Sequence, residues 1–322
     1  MAYLTKNIQN KTTLTKLIEH AFPERKLESL HELTEGYFNI AYEVSFQSGA
    51  KSILKIAPHP EVTVMTYEQN IMEAEVRAMH LVAEKTNVPL PEVEFYDASC
   101  TICNAPYFFM KKLVGKSLST QKSSLTEEQI KNIYYFTGRA NQELNQVTND
   151  YFGYLGQKAF QGANWHFVFS TMLTALITDA KKENIDLTIS ASEVLSLLEK
   201  AKGIFAGVEI PRLVHWDIWD GNIFVQEGLL TGIIDWERCL WGDPLMEVGF
   251  RSYAQSADFL RGYGIEKFTE EETRRILWYD LYLLIIAAQE YAYRGYETKD
   301  SYYWATGLLR EKYAKLKEIS FG

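Results

Sequence analysis

The first third of the chain alternates short apolar, β-branched and aromatic runs with turn residues, a pattern that predicts β-strands. Four such runs occupy residues 41–46, 51–57, 93–97 and 107–113. A Gln-Ser-Gly-Ala segment at residues 47–50 joins the first two runs as a hairpin. Between the second and third runs, apolar positions recur at helical spacing over residues 66–85, which predicts one helix that ends before Pro89.

Beyond residue 120 the apolar spacing becomes that of helices. Thr126 and Gln129 stand at the spacing of a capping box, so we expect a helix to begin there. Further helices are predicted at residues 165–181, 190–202 and 270–294. Together these elements predict an α+β fold with a small β-rich lobe at residues 1–110 and a larger helical lobe at residues 111–322.

The composition is that of a globular protein, with 47% hydrophobic and 23% charged residues in a chain of 322. The formal net charge of −9 argues against a nucleic-acid partner, which requires a basic surface. Solubility and attraction of a cationic ligand both explain this charge. The amino terminus lacks the apolar core of a signal peptide, and no apolar run is long enough to span a bilayer. We therefore expect a cytoplasmic protein without a membrane partner.

The three cysteines fit a reducing compartment. Cys100 and Cys103 form a C-x-x-C pair, which suggests a redox pair or half of a zinc site. The sequence has no second C-x-x-C or H-x-x-x-H to complete four zinc ligands. We therefore interpret residues 97–106 as the connection of a β-hairpin.

The segment with the most chemical information is an H-x-D-x-x-x-x-N pattern at residues 215–222. A strand-like run follows it directly, and a second strand-like run at residues 232–234 ends at Asp235. The residues between these runs can form a tight turn. A short hairpin of this kind would bring Asp217, Asn222 and Asp235 towards one point.

Two carboxylates and an amide oxygen are the set that phosphoryl transfer from a nucleotide requires. Asp217 would accept the proton of a hydroxyl group, while Asn222 and Asp235 would hold Mg²⁺. Each residue also fits a plain turn cap or Asx-turn, but that explanation does not account for the acidic end of the second strand. We therefore interpret the two segments as a kinase-type active site.

Together, the two motifs resemble those of the aminoglycoside phosphotransferase and choline kinase-like superfamily, whose loop commonly reads H-G-D-x-x-x-x-N and whose metal motif reads D-x-E. Here Trp216 replaces the usual glycine, which would alter the loop backbone or the pocket wall. The resemblance implies a two-lobed, protein-kinase-like fold over nearly the whole chain. It implies that residues 1–110 bind the nucleotide and that residues 111–322 carry the catalytic loop and the substrate cleft. ATP is the expected donor, with GTP not excluded, and Mg²⁺ is the expected metal.

The resemblance also implies a lysine that holds the nucleotide phosphates, paired with a helix carboxylate. Lys55 lies in an otherwise apolar strand and fits the first role. Glu73 and Glu75 both lie on the following helix, and they face different directions. The distance to Pro89, compared with family members, favours Glu75.

The loop that covers the phosphates is predicted at residues 33–41, which contain Gly36 and Asn39 but not the full G-x-G-x-x-G pattern. An ordinary β-turn is the alternative for this segment. The connector between the lobes, with Met110 and Leu113, would bind the base through its backbone.

The acceptor is expected to be a small molecule, because too few residues separate Asp235 from Asp243 for the activation segment of a protein kinase. An aminoglycoside-type antibiotic is the leading expectation, and a metabolite such as choline, fructosamine or homoserine is the alternative. Asp179, Asp280 and Glu290 could build a cation-binding cleft or serve as ordinary structural charges. A nucleotide-binding module without turnover stays open as a second class. We expect a monomer or weak dimer.

Three neighbours of the motif residues have less specific roles. His215 is expected to brace the catalytic loop by hydrogen bonds. Glu237 could complete the metal shell or form a local salt bridge, and Asp243 is expected to cap the next helix.

Overall fold

The computed structural model describes residues 4–34, 36, 38–248 and 254–321. Five antiparallel strands form the sheet of the N-terminal lobe: β1 (Leu27–Leu33), β2 (Ile40–Phe46), β3 (Lys51–Ile56), β4 (Val93–Asp97) and β5 (Tyr107–Lys111). Their order across the sheet is β1-β2-β3-β5-β4. Four of these strands match the predicted runs, and β3 lies in the centre, where Lys55 faces the interior. The sequence prediction missed β1, an edge strand without fully buried side chains.

Two helices pack on this sheet, α1 (Lys11–Ala21) and α2 (Ile71–Lys85). The prediction missed α1, whose buried face consists of Leu14, Leu17 and Ile18. The helix predicted at residues 66–85 is wrong at its start, because residues 66–68 form a separate 3-10 turn and Asn70 has a left-handed backbone with φ 57°. The carboxylate of Asp179 accepts hydrogen bonds from the backbone N–H and the hydroxyl of Thr66, both at 2.7 Å. These tertiary bonds compete with continuous helix in this segment.

The C-terminal lobe is mostly helical. Its helices are α3 (Leu118–Gln121), α4 (Glu127–Leu144), α5 (Trp165–Lys182), α6 (Ala191–Lys200), α7 (Leu245–Val248), α8 (Ala257–Tyr263), α9 (Glu270–Arg294) and α10 (Asp300–Phe321). The capping box predicted for α4 is present, since Thr126 and Gln129 exchange side-chain and backbone hydrogen bonds. The prediction missed α8 and α10, and α10 contributes few residues to the core. No helix in the described part of the chain combines the length and apolar character of a bilayer span.

Six short strands frame the junction between the lobes: β6 (Lys116–Ser117), β7 (Gly153–Tyr154), β8 (Arg212–Val214), β9 (Ile223–Gln226), β10 (Leu229–Ile233) and β11 (Leu240–Gly242). The predicted hairpin is confirmed, because β9 and β10 pair antiparallel. Its turn residues Glu227 and Gly228 both have positive φ, which the right-handed twist of the strands favours. Gly115, in the connector before β6, has φ 93°, and a Cβ there would lie 2.2 Å from the Val225 carbonyl oxygen. The connector therefore passes directly over the catalytic hairpin.

The hairpin connection predicted around the C-x-x-C pair is also confirmed. Strands β4 and β5 pair antiparallel on either side of it. Cys100 is exposed and Cys103 is buried, and both thiols are free.

Candidate active site

The residues predicted for the site surround one cleft of about 1880 Å³ between the lobes. Those that line it are Gly36, Asn39, Lys55, Met110, Leu113, Asp217, Asn222 and Asp235. Glu75 lies behind Lys55 and is fully buried. The fold thus brings all nine side chains or backbone positions to one region. Of the predicted phosphate loop, Glu35 and Tyr37 lie outside the described residues.

Lys55 is held by two carboxylates from different elements. Its Nζ lies 2.6 Å from Oε1 of Glu75 on α2 and 2.7 Å from Oδ1 of Asp235, just after β10. Glu73 is exposed on the opposite face of α2. The prediction that Lys55 pairs with Glu75 rather than Glu73 is therefore confirmed.

Three carboxylates share this single lysine. Ligand atoms of Glu75, Asp235 and Glu237 lie within 4.8 Å of one another. Burial opposes the charge of Lys55, but these carboxylates outweigh it and raise the pKa of the ammonium above its ordinary value. Burial and the neighbouring Asp235 raise the pKa of Glu237 well above its usual range. The cluster is therefore short of positive charge.

A divalent cation fits this deficit. Carboxylate and amide oxygens are the ligands that Mg²⁺ prefers. The Nδ2 of Asn222 donates to the backbone oxygen of Asp217 at 2.9 Å and to its Oδ2 at 3.0 Å, which leaves the amide oxygen to coordinate a cation. Asp235 and Asn222 therefore suit the predicted metal role, and Glu237 adds a third oxygen donor. Glu237 also accepts a 2.7 Å hydrogen bond from the Nδ2 of Asn39, which links the carboxylate cluster to the predicted phosphate loop.

His215 braces the catalytic loop, as predicted. Its Nδ1 accepts the backbone N–H of Asp217 at 3.1 Å, and its Nε2 lies 3.0 Å from the carbonyl oxygen of Ile234. These contacts require the tautomer that carries the proton on Nε2. The imidazole thereby fixes Asp217 relative to the strand that ends at Asp235. Asp243 precedes α7 and accepts the backbone N–H of Leu245 at 3.0 Å, as expected of a cap.

Trp216 has a backbone conformation that glycine adopts more readily than other residues. Its φ of 65° is in the left-handed region, which costs a residue with a side chain about 1–2 kcal/mol. The indole is fully buried and packs against the rings of Tyr67 and Tyr282. The Trp216 side chain therefore packs into the core behind the catalytic loop and does not line the cleft.

Arg238 is a site residue that the sequence reasoning missed. Its guanidinium lies over the Trp216 ring, 3.9 Å from a carboxylate oxygen of Asp217 and 3.2 Å from Glu290 of α9. The available signal was its place directly after the Asp-Trp-Glu motif. The positively charged guanidinium of Arg238 orients the Asp217 carboxylate and connects it to α9.

The N-terminal segment is a second feature that the sequence did not reveal. The backbone N–H of Leu4 donates to the carbonyl oxygen of Arg294 at 3.0 Å, in the C-terminal lobe. The Nζ of Lys6 donates to the carbonyl oxygen of Asn39 at 2.6 Å, in the phosphate loop of the other lobe. Residues 4–6 thus bridge the two lobes at the edge of the cleft.

An apolar slot lies beside the predicted connector residues. Its walls come from both lobes and consist of Leu33, Ala41, Ile53, Pro91, Met110, Leu113, Phe224 and Ile234. A slot of this composition suits a flat, largely apolar ring. Phe224 and Ile234 belong to the hairpin that carries the catalytic residues, so the base and the reacting phosphate would share one support.

The fold and these contacts define a two-lobed protein with a kinase-like catalytic cleft. The sequence profile of the phosphotransferase enzyme family matches residues 29–277, well over half of the chain. The chain therefore belongs to this family, which confirms the resemblance inferred from the motifs. No curated protein sequence gave a significant match.

Solved structures show the same fold at low sequence identity. A candidate aminoglycoside phosphotransferase from Ralstonia eutropha JMP134 is 13% identical with a TM-score of 0.67, over 97% of this chain and 98% of that one. Aminoglycoside phosphotransferase APH(4)-Ia is 18% identical with a TM-score of 0.66, over 94% and 98%. APH(2")-IIa, in a ternary complex with streptomycin and ATP, is 16% identical with a TM-score of 0.62, over 94% and 97%.

Proposed function

We propose that this phosphotransferase moves the γ-phosphoryl group of ATP to a hydroxyl of a small molecule, with Mg²⁺ as the metal. The observation that carries the proposal is the convergence of Lys55, Glu75 and Asp235 with Asn222 and Asp217 in one cleft. Each of these groups has a defined task in phosphoryl transfer. GTP is an alternative donor, because apolar side chains in the slot would stack against either purine and would not distinguish their hydrogen-bonding edges.

Asp217 would activate the acceptor hydroxyl. Its carboxylate would accept the hydroxyl proton as the acceptor oxygen bonds to the γ-phosphorus. The bond from that phosphorus to the bridging oxygen breaks, and the nucleoside diphosphate leaves with the electron pair. Arg238 and Asn222 hold the Asp217 carboxylate from two sides and so orient it towards the acceptor.

The other residues of the cleft would bind the nucleotide and its metal ion. Lys55, fixed by Glu75, would bind the phosphates as a point charge. Asn222 and Asp235, aided by Glu237, would hold Mg²⁺, which neutralises charge that develops on the phosphates. Gly36 and Asn39 would cover the phosphates from the loop before β2, and the connector at Met110 and Leu113 would receive the base.

A paired binding and turnover experiment tests the proposal. Isothermal titration with ATP, with and without Mg²⁺, measures nucleotide binding, and ADP release in the presence of hydroxyl compounds measures transfer. Binding that requires Mg²⁺, together with ADP release that stops in an Asp217→Asn variant, is the expected result. Tight Mg²⁺·ATP binding without transfer to any acceptor would favour the alternative of a binding module.

Two acceptor classes fit this chemistry. The similar solved structures include aminoglycoside phosphotransferases, which supports an aminoglycoside acceptor as the leading expectation. A hydroxylated metabolite is the alternative.

A further inference from the structure

The acceptor end of the cleft is walled by two helices and the catalytic loop. Leu283, Ala287 and Glu290 line it from α9, where spacings of four and three residues place them on one face. Trp304 lines it from α10, and Trp219 lines it from the loop beside Asp217. The indoles of Trp219 and Trp304 are 42% and 48% exposed, so both present accessible aromatic surface.

The carboxylate that α9 presents to the cleft is already paired inside the protein. Glu290 accepts from Arg238 at 3.2 Å and from Arg294 at 3.5 Å. Arg294 is 2% exposed and also forms a 2.7 Å ion pair with the buried Glu68. A cationic ligand would have to compete with two guanidinium groups for Glu290.

The other acidic residues considered for a cation-binding cleft lie elsewhere. Asp179 is buried and accepts both hydrogen bonds of Thr66. Asp280 is fully buried and pairs with Lys312 at 3.1 Å. Neither lines the cleft. Asp179 and Asp280 are therefore structural, and of the three only Glu290 reaches the acceptor end. Glu297, an exposed residue between α9 and α10, also lines the cleft.

We propose that the acceptor is an uncharged hydroxyl compound with an apolar or planar portion, rather than a polyamine such as an aminoglycoside. This inference rests on the proposed function and deepens it. Apolar surface beside Trp219, Trp304 and Leu283 would be removed from water on binding, which contributes affinity without requiring charge. A polyamine would lose hydration at several ammonium groups, and Glu290 could pair with one of them only by giving up Arg238 or Arg294.

A charge-sorted acceptor panel tests the inference. Uridine and 4-nitrophenyl β-glucoside represent neutral ring compounds, choline represents a single cation, and kanamycin represents a polycation. ADP release gives the rates, mass spectrometry identifies the phosphorylated product, and each assay is repeated at low and high NaCl. Mg²⁺·ATP binding is titrated in the same samples.

We expect the neutral ring compounds to have the highest kcat/KM, with little dependence on salt because surface charges do not attract them. A higher kcat/KM for kanamycin or choline, falling as salt is raised, would overturn the inference. So would inactivity of every neutral compound in samples that bind Mg²⁺·ATP. Loss of Mg²⁺·ATP binding itself would instead contradict the proposed function.

A matched pair of variants locates the effect. Trp304→Ala should raise the KM of the neutral acceptor at least about tenfold, since an aromatic side chain that the bound acceptor covers contributes on that scale. The Mg²⁺·ATP dissociation constant should not change. Tyr303→Ala is the control, because Tyr303 is the adjacent residue, is 65% exposed and does not line the cleft. Equal acceptor KM values in the two variants would contradict a role for this aromatic wall.

Discussion

The two ends of the cleft differ in how their charges are balanced. At the nucleotide end, Lys55 is ion-paired with Glu75 and Asp235 beside Glu237, and burial together with the neighbouring Asp235 raises the pKa of Glu237. At the acceptor end, Glu290 lies between two guanidinium groups, and Leu283, Trp219 and Trp304 add apolar surface, while the exposed Glu297 also lines the cleft. The nucleotide end is therefore completed by its ligands, whereas Glu290 at the acceptor end is paired within the protein.

This contrast indicates that different residues carry out phosphoryl transfer and select the acceptor. Phosphoryl transfer depends on charge placed at a few fixed points, so the nucleotide end carries buried ionic groups despite their desolvation cost. Acceptor selection depends on shape and apolar surface, which α9 and α10 supply without motif residues. Asp217 lies where the two ends meet, and substitutions on either side of it should affect different kinetic constants.

The largest effect is expected at that meeting point. Asp217→Asn should lower kcat by about 10²–10⁴-fold, because the amide cannot accept the hydroxyl proton, and should leave the Mg²⁺·ATP dissociation constant nearly unchanged. Stopped assays of product formation and titration calorimetry measure the two quantities. Asp220→Asn is the matched control on the same loop, since its carboxylate contacts Lys122 and Tyr134 instead of lining the cleft. If Asp217→Asn retained more than about a tenth of kcat, Asp217 would not be the base.

Removal of a metal ligand should affect only the nucleotide end. Asp235→Ala should raise the Mg²⁺ concentration for half-maximal rate by at least about tenfold, which is the loss that even outer partners of a metal site cause. Asn222→Ala should have a smaller effect, because it removes a neutral oxygen instead of a full charge. Mg²⁺ titrations at saturating ATP give both values. Unchanged Mg²⁺ dependence in both variants would contradict the metal assignment and with it the contrast between the two ends.

The same contrast explains how far the sequence could predict this site. Asp217, Asn222 and Asp235 lie close together in the sequence, and one hairpin with Glu227 and Gly228 at its turn brings them together. Local turn chemistry was therefore enough to predict their convergence.

Tertiary packing determined the rest of the site. Lys6, Arg238 and Trp304 belong to no motif, and they reach the cleft only because the N-terminal segment, the catalytic loop and α10 meet there. The start of one helix was predicted wrongly for the same physical reason. The helix predicted from residue 66 is interrupted where Asp179, more than a hundred positions away, binds Thr66. Periodicity within one segment carries no information on such long-range bonds.

The pairing of Lys55 offers a smaller and sharper test of the nucleotide end. Glu75→Gln should raise the KM for Mg²⁺·ATP about tenfold, because a charge-assisted hydrogen bond to the lysine becomes a neutral one. The acceptor KM should not change, since the acceptor wall contains neither residue. Glu73→Gln, on the exposed face of the same helix, is the control and should behave like the wild-type protein. Equal ATP kinetics in the two variants would show that the observed ion pair does not position the nucleotide.

The smallest effect is expected from the N-terminal segment that bridges the lobes. Lys6→Met removes the 2.6 Å hydrogen bond to the carbonyl oxygen of Asn39, whose side chain in turn donates to Glu237. A single such bond contributes about 0.5–1.5 kcal/mol, so the KM for Mg²⁺·ATP should rise about two- to tenfold while the acceptor KM stays constant. Lys16→Met, an exposed lysine of α1, controls for the loss of one positive charge. A rise in acceptor KM instead would mean that Lys6 acts on the other end of the cleft, through the contact of Leu4 with the end of α9.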